Sequence, residues 1–268
     1  VRRTPRQVAR VLVEPGEQHL HRVILSCAVG FVHRRKGRAP IAYSRGMVEG
    51  GSTRRRSRAR GRAPAFGAMG VPRQFLPPEQ AEVRTAPSRS IEQLDEVFGT
   101  SGPAAHCWCQ FDRVPVARIE TLDESELRGM LAVELRRRPS PGVVATLGGE
   151  PVGWCSVAPR SWFPRLRTAS STSSPATAAD DPAVWSVTCF VVRRGYRRRG
   201  VAVALLAGAI DHARSGGAGW LEAYPVDTAG RRLAADDLYR GSLSLFLTAG
   251  FEVVARPRPG RAIVRLEL

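Results

Sequence analysis

Lysine is almost absent from this 268-residue chain. Of its 41 basic residues, 40 are arginine. The chain also has no GxxxxGK[ST], no GxGxxG between a strand and a helix, no GxSxG and no HExxH. P-loop nucleotide hydrolysis, dinucleotide binding, α/β-hydrolase chemistry and zinc proteolysis therefore lack their usual sequence support.

Long apolar runs are absent as well. The run Val23–Val32 has ten residues, whereas a membrane-spanning helix needs roughly 20. Three basic residues follow it closely, at 34 to 36, and no small-residue cleavage pattern is evident, so it does not resemble a signal peptide. We expect a soluble, cytoplasmic protein with no membrane partner.

Cysteine is scarce and odd in number. The five are Cys27, Cys107, Cys109, Cys155 and Cys189. An odd count with two members inside strand-like apolar runs favours reduced core thiols in a reducing compartment over a disulfide framework. His106 precedes a C-x-C pair, but no second ligand pair with zinc spacing accompanies it, so we expect no metal.

Charge divides the chain into two parts. Residues 1–68 hold 16 Arg/Lys against 3 Asp/Glu, a net charge of +13, whereas residues 69–268 carry a net of only +4. The first part contains the run Arg54–Arg62 and no amphipathic pattern, which predicts a disordered extension. It is interpreted either as a nucleic-acid-binding arm held by phosphate contacts or as an over-extended gene start ahead of Met69. We favour the second, because the segment begins with Val1, is biased toward arginine and precedes Met69, a plausible alternative start. It also has almost no aromatic residues for stacking on bases, so we do not expect a nucleic-acid partner.

A strand, a basic turn and a helix follow one another in the second part. Val184–Val192 is uncharged and rich in β-branched and aromatic residues, which predicts a strand buried on both faces. Arg197–Arg199 and Gly200 form the turn. Apolar residues at helical spacing then predict a helix that starts near Gly200: Ala202, Leu205, Leu206, Ala209 and Ile210. The N-terminus of such a helix binds anions through its free N–H groups, so the turn predicts a diphosphate site.

The turn resembles the acetyl-CoA signature Q/R-x-x-G-x-G/A of the GNAT N-acetyltransferases, with Arg197, Gly200 and Ala202 at its defined positions. Downstream, the strand-like Trp220–Tyr224, an apolar helix that ends in Ala249-Gly250-Phe251, and two further strand-like segments follow in the family's order. The resemblance covers about residues 120 to 268. It implies an α/β (α+β) fold over 69–268, with a mixed, mostly antiparallel sheet of six to seven strands flanked by helices.

The resemblance implies the cofactor and the reaction. Acetyl-CoA, used as cosubstrate without a metal, would lie along the central strand and the turn. Its expected contacts are Phe190, Val191, Val192, Arg197, Arg198, Arg199, Gly200, Val201 and Ala202. The amine of a small molecule or a peptide would attack the thioester directly, and a second copy in a homodimer is left open as a partner.

The catalytic groups are less evident, because the central strand has no carboxylate and Phe246 stands where many relatives have a tyrosine that protonates the leaving thiolate. We therefore expect Glu222, a carboxylate in an apolar strand, to act as general base. Its alternative role is to pair with a core arginine. Tyr239 is the expected acid. Tyr224 is an alternative, as is Ser242 or Ser244 acting through a water molecule. These departures also leave open an inactive acyl-CoA-binding sensor.

The remaining segments are predicted from local pattern. Ile91–Phe98 is expected to form a short helical turn, His106–Phe111 the first strand and Glu124–Arg137 a helix. Residues 142–147 and 151–159 are expected to form a hairpin around Gly148-Gly149. The polar segment 167–183 is expected to be a mobile loop. Four aromatic residues are expected either to form a wall of the acceptor pocket or to belong to the core: Trp108, Trp154, Trp162 and Tyr224.

Overall fold

The structure is a computed structural model that describes residues 82–99, 102, 104–169, 172 and 181–268. The strands are β1 (Val83–Pro87), β2 (Gly142–Leu147), β3 (Glu150–Pro159), β4 (Val184–Val192), β5 (Trp220–Ala223), β6 (Glu252–Arg258) and β7 (Arg261–Glu267). The helices are α1 (Ile91–Phe98), α2 (Ala104–Cys107), α3 (Val116–Ile119), α4 (Glu124–Glu134), α5 (Arg165–Thr168), α6 (Val201–Ser215) and α7 (Leu243–Thr248).

The seven strands form one mixed sheet in the order β1-β2-β3-β4-β5-β7-β6. β4 and β5 pair in parallel, and every other neighbouring pair is antiparallel. This confirms the predicted mixed, mostly antiparallel sheet. The parallel pairing extends only from Val184 to Val187 on β4, so the rest of β4 leaves the edge that faces β5 open.

The central strand β4 has the predicted bounds and is buried along almost its whole length. A bulge interrupts its pairing with β3, because Cys189 pairs with Ser156 whereas Val187 pairs with the next residue, Val157. Thr188 is therefore the extra residue. Because side chains alternate along a strand, the bulge reverses the alternation, so that Val187 and Phe190 lie on the same face of the sheet.

Helices cover both faces of the sheet. The apolar side of α6 packs on one face through Leu205, Leu206 and Ala209. α1 and α4 cover the other face, and Leu94 and Leu131 are fully buried there. The start of α4 is fixed by a capping box, in which Asp123 and Glu126 exchange side-chain-to-backbone hydrogen bonds. This two-sided cover explains the continuous burial of β4.

The prediction of a first strand at His106–Phe111 is wrong. The structure begins this segment with α2 and continues it as turns, and the first strand is Val83–Pro87. Trp108 and Cys109 have left-handed backbones with φ of 46° and 52°, which no strand accommodates. The Trp108 ring stacks on Phe98 at a centroid distance of 4.8 Å. We attribute the failed prediction to this aromatic contact and to the lack of β-branched residues in the segment.

Two of the predicted segments cannot be compared with the structure. The arginine-rich extension 1–68 lies outside the described residues, and so does most of the loop predicted at 167–183. The described start of that loop belongs to α5. Among the helices of the described part, none has the length and apolar character that a membrane crossing requires.

Candidate active site

A cavity of about 410 Å³ lies beside the C-terminal half of β4. Its wall is formed by Ala104, Cys107, Cys109, Phe111, Asp112, Cys189, Phe190, Val191, Val192, Arg197, Arg198, Gly200, Val201, Ala202, Val203, Ala235, Asp236, Leu238, Tyr239, Gly241, Ser242 and Leu245. One end is the arginine turn with the start of α6, and the other end is formed by the segment that follows α2. The cavity thus connects a cationic end to a largely apolar one.

The arginine turn is shaped by two left-handed residues, Arg198 with φ of 62° and Gly200 with φ of 77°. A β-carbon built on Gly200 meets no atom within 4 Å, so the space next to this backbone is open. Gly200 caps α6 without a side chain, and the first N–H groups of a helix have no partner inside the helix. Arg197 is held in place, because its Nε donates to the carbonyl of Val192 at 3.2 Å. The turn therefore offers backbone N–H groups and guanidinium groups to an anion.

The open edge of β4 forms the middle of the cavity. Beyond Val187, β4 has no strand partner on the side of β5. A loop residue supplies one backbone contact there, because the N–H of Phe190 donates to the carbonyl of Tyr239 at 2.6 Å. Val191 and Val192 continue the wall toward the arginine turn.

A buried arginine organises the opposite end. Arg240 Nη2 donates to both carboxylate oxygens of Asp112, at 2.7 and 2.9 Å. Its Nε donates to the Tyr239 hydroxyl at 3.2 Å. Asp112 and Tyr239 both line the cavity, so one guanidinium positions a carboxylate and a phenol. Removal from water raises the pKa of Tyr239 above its usual value, although Arg240 opposes part of that effect, so the phenol is protonated at neutral pH.

Three thiols contribute to the wall at the same end: Cys107, Cys109 and Cys189. Burial raises the pKa of Cys109. The contact with the Cys109 thiol, together with burial, raises the pKa of Cys189 well above its usual value. Both are therefore neutral, weakly reactive thiols that make this wall apolar. None of the four cysteines in the described ranges forms a disulfide.

Glu222 lies elsewhere. Its side chain is completely buried, with one oxygen 3.2 Å from Arg160 Nε and the other 2.8 Å from Arg265 Nη2. The Tyr224 hydroxyl donates to it at 2.6 Å. It is not part of the cavity wall, so the structure favours its alternative role as a partner of core arginines.

The sequence profile of the acetyltransferase (GNAT) family matches residues 104–240, which is just over half of the chain. The chain belongs to the GNAT acetyltransferase family. Acetyl transfer is the general reaction of that family, and the family fold agrees with the seven-stranded mixed sheet.

The chain is also similar to solved structures of several N-acetyltransferases. PaiA N-acetyltransferase from Thermoplasma acidophilum, solved with coenzyme A, shares 14% identity at a TM-score of 0.43. Ribosomal-protein-alanine N-acetyltransferase from Brucella melitensis shares 18% at 0.43, and an N-acetyltransferase from Staphylococcus aureus Mu50 shares 14% at 0.44. Each comparison covers 70% of this chain and 99% of the other. A search among functionally curated proteins found no significant match.

The predicted cosubstrate contacts of this GNAT chain converge on the cavity with one exception. Eight of the nine residues line it, and Arg199 does not; its guanidinium lies 5.6 Å from the Tyr196 ring centroid. Of the predicted catalytic pair, Tyr239 lines the cavity and Glu222 does not. Among the described residues of the wall, only Asp112 and Asp236 carry a carboxylate. Neither could be predicted from the sequence, since neither belongs to a motif.

The four aromatic residues proposed for an acceptor wall do not line the cavity. Trp154 and Tyr224 are at most 1% exposed and belong to the core. Trp108 is also buried, and Trp162 is packed against a core cluster. In the ranges that the structure describes, no group of three or more His, Cys, Asp or Glu side chains is arranged to hold a metal ion.

Proposed function

We propose that the protein is an acetyl-CoA-dependent N-acetyltransferase that acts on the amine of a small molecule or a peptide. One observation carries the proposal: a single cavity joins the GNAT signature turn to a carboxylate and a phenol at its far end. A cosubstrate and an acceptor that meet in this cavity would bring thioester and amine together, which is a large part of catalysis by proximity.

The cationic end fits the diphosphate of acetyl-CoA. Arg197 and Arg198 line it, and the N–H groups at the start of α6 face an open space beside Gly200. Guanidinium groups and helix N-termini are both suited to phosphate oxygens. The extended pantetheine arm has amide groups that suit the open edge of β4 from Val192 to Phe190, which would direct the thioester toward Cys189 and Tyr239.

The far end of the cavity carries side chains that can accept and donate the protons of the reaction. An amine is mostly protonated at neutral pH and must lose a proton before or during attack. We assign proton acceptance to Asp112, directly or through one water, because it is the carboxylate on this part of the wall. The neutral amine nitrogen then bonds to the acetyl carbon, the carbon–sulfur bond breaks, and Tyr239 donates its proton to the departing thiolate. The second proton on the new amide nitrogen returns to the Tyr239 oxygen. Because Arg240 donates to the Tyr239 oxygen and accepts nothing from it, the phenol proton is available for that step.

An inactive acyl-CoA-binding sensor is the second candidate. It is favoured by Phe246, fully buried where many relatives have a tyrosine, and by the sequestered Glu222. Both candidates bind acetyl-CoA, and only the enzyme releases coenzyme A when an amine is added.

The test is calorimetric titration of acetyl-CoA into the full chain, followed by a free-thiol assay with a panel of primary amines. We expect micromolar binding that Gly200→Glu abolishes, because a carboxylate there meets the diphosphate. Gly195→Glu is the matched control, since Gly195 is exposed in the same turn region and does not line the cavity. Equal binding by both variants, or no binding by the folded wild type, would refute the proposal, and binding without thiol release would favour the sensor.

A further inference from the structure

Residues 235–239 run along the wall of the cavity that we assign to acetyl-CoA, and we call them the strap. They consist of a short 3₁₀ turn, Ala235–Leu238, followed by Tyr239. Four of the five residues line the cavity. The strap makes two contacts with groups that the cosubstrate would also use.

The first contact is an ion pair. Asp236 Oδ1 lies 3.5 Å from Arg197 Nη2, with the two side chains 40% and 31% exposed. Arg197 does not need this carboxylate for its position, because its Nε is already bonded to the carbonyl of Val192. Asp236 therefore places a negative charge where the diphosphate of acetyl-CoA would lie, and like charges at short range repel.

The second contact uses the backbone. The carbonyl of Tyr239 accepts from the N–H of Phe190 at 2.6 Å, so a donor on the open edge of β4 is already occupied. An acceptor group of the cosubstrate that reaches this N–H has to displace Tyr239. The two contacts lie near opposite ends of the strap, so together they hold it against Arg197 and β4.

Release of the Asp236 end of the strap disturbs little of the core, whereas the Tyr239 end packs against a core cluster and accepts a hydrogen bond from Arg240. Asp236 and Leu238 are only half-buried, Asp237 is exposed, and the preceding residues 229–232 are exposed as well. Exposed ion pairs of this kind contribute little to stability. A polyanionic ligand that pairs with Arg197 can therefore displace Asp236 at small cost.

We propose that the strap is an internal competitor for acetyl-CoA, in which Asp236 substitutes for the diphosphate and the Tyr239 carbonyl substitutes for an acceptor group of the cosubstrate. The inference rests on the proposed function. Tyr239 belongs to both the strap and the acceptor end, so entry of acetyl-CoA rearranges the acceptor end.

The test compares acetyl-CoA binding to the wild-type full chain, Asp236→Asn and Asp237→Asn by calorimetry at 0.1 M salt. We expect the dissociation constant of Asp236→Asn to fall about threefold to tenfold, because the competing charge is removed. Asp237→Asn changes the net charge equally one residue away and should stay within about twofold of wild type. At 1 M salt, where the Debye length falls to about 3 Å, the difference should shrink.

The outcomes distinguish a failure of the strap proposal from a failure of the proposed function. Equal affinities of both variants for acetyl-CoA, or weaker binding by Asp236→Asn, would overturn the proposal that the strap competes with acetyl-CoA. Neither result would contradict the assignment of the cavity to acetyl-CoA. Weaker binding would show instead that Asp236 positions Arg197. Absence of binding by all three folded proteins would overturn the proposed function and the strap together. Binding by Asp236→Asn alone would support the strap strongly.

Discussion

Replacement of Glu222 by glutamine tests whether this carboxylate stabilises the fold or takes a proton during catalysis. The side chain is 0% exposed and lies between Arg160 and Arg265. It also accepts a hydrogen bond from Tyr224. Glutamine preserves the shape and removes the charge, so two guanidinium groups remain near a neutral amide inside the protein.

The expected loss of stability is large. Removal of one partner from a buried ion pair costs about 3 to 5 kcal/mol, because the remaining charge is left without compensation. For a domain of this size, about 1 kcal/mol corresponds to a shift of about 2 to 4 °C in Tm. We therefore expect Glu222→Gln to unfold about 6 to 20 °C below the wild type, while the fraction that remains folded keeps its affinity for acetyl-CoA.

Thermal unfolding, denaturant titration and steady-state kinetics on the same preparations measure these effects. Glu267→Gln is the matched control, because Glu267 is an exposed glutamate on the adjacent strand β7. The reasoning is refuted if Glu222→Gln unfolds like wild type while kcat falls 100-fold or more and the acidic limb of the pH–rate profile disappears. That result would identify Glu222 as the general base after all.

Two further predictions concern ionisable groups. Tyr239→Phe should lower kcat about 100-fold with little change in the KM for acetyl-CoA. In the wild type, activity should decline above about pH 10, because partial burial raises the pKa of the phenol and the proton donor is lost only above that pKa. The variant should lack this decline. Burial raises the pKa of Cys155 well above its usual value. The folded thiol therefore stays neutral, whereas the unfolded thiol ionises above about pH 8.5, so stability is retained below that pH and lost as the pH rises. Between pH 8 and 10, denaturant unfolding should show wild type losing about 2 kcal/mol more than Cys155→Ala; parallel losses in the two proteins would contradict this.

The elements around the cosubstrate could be predicted from sequence because their signals are local. A run of β-branched residues defines β4 with its observed bounds, and helical spacing defines α6 after Gly200. Both patterns follow from the repeat of a single element and need no distant partner. The turn between them carries the family signature, so it could be predicted from the sequence as well.

The acceptor end could not be predicted because it depends on distant contacts. Asp112 and Arg240 are 128 positions apart in sequence, and neither belongs to a recognisable motif. The same holds for Glu222, where the sequence shows a carboxylate in an apolar strand and the structure shows the two arginines that neutralise it. At His106–Phe111 the local pattern gave a strand, whereas packing of Trp108 on Phe98 produced a turn.

The short parallel pairing of β4 with β5 has a thermodynamic consequence. It is the seam where β1 to β4 meet β5 to β7, and only four residue pairs join the two groups of strands there. The cavity wall takes residues from both sides of the seam, such as Arg197 from one and Tyr239 from the other. A ligand held in the cavity links the two sides, and it stabilises the fold by mass action, by about 2.7 kcal/mol at 100 times its Kd. Occupancy would therefore appear first as slower hydrogen exchange along this seam, before any product is detected.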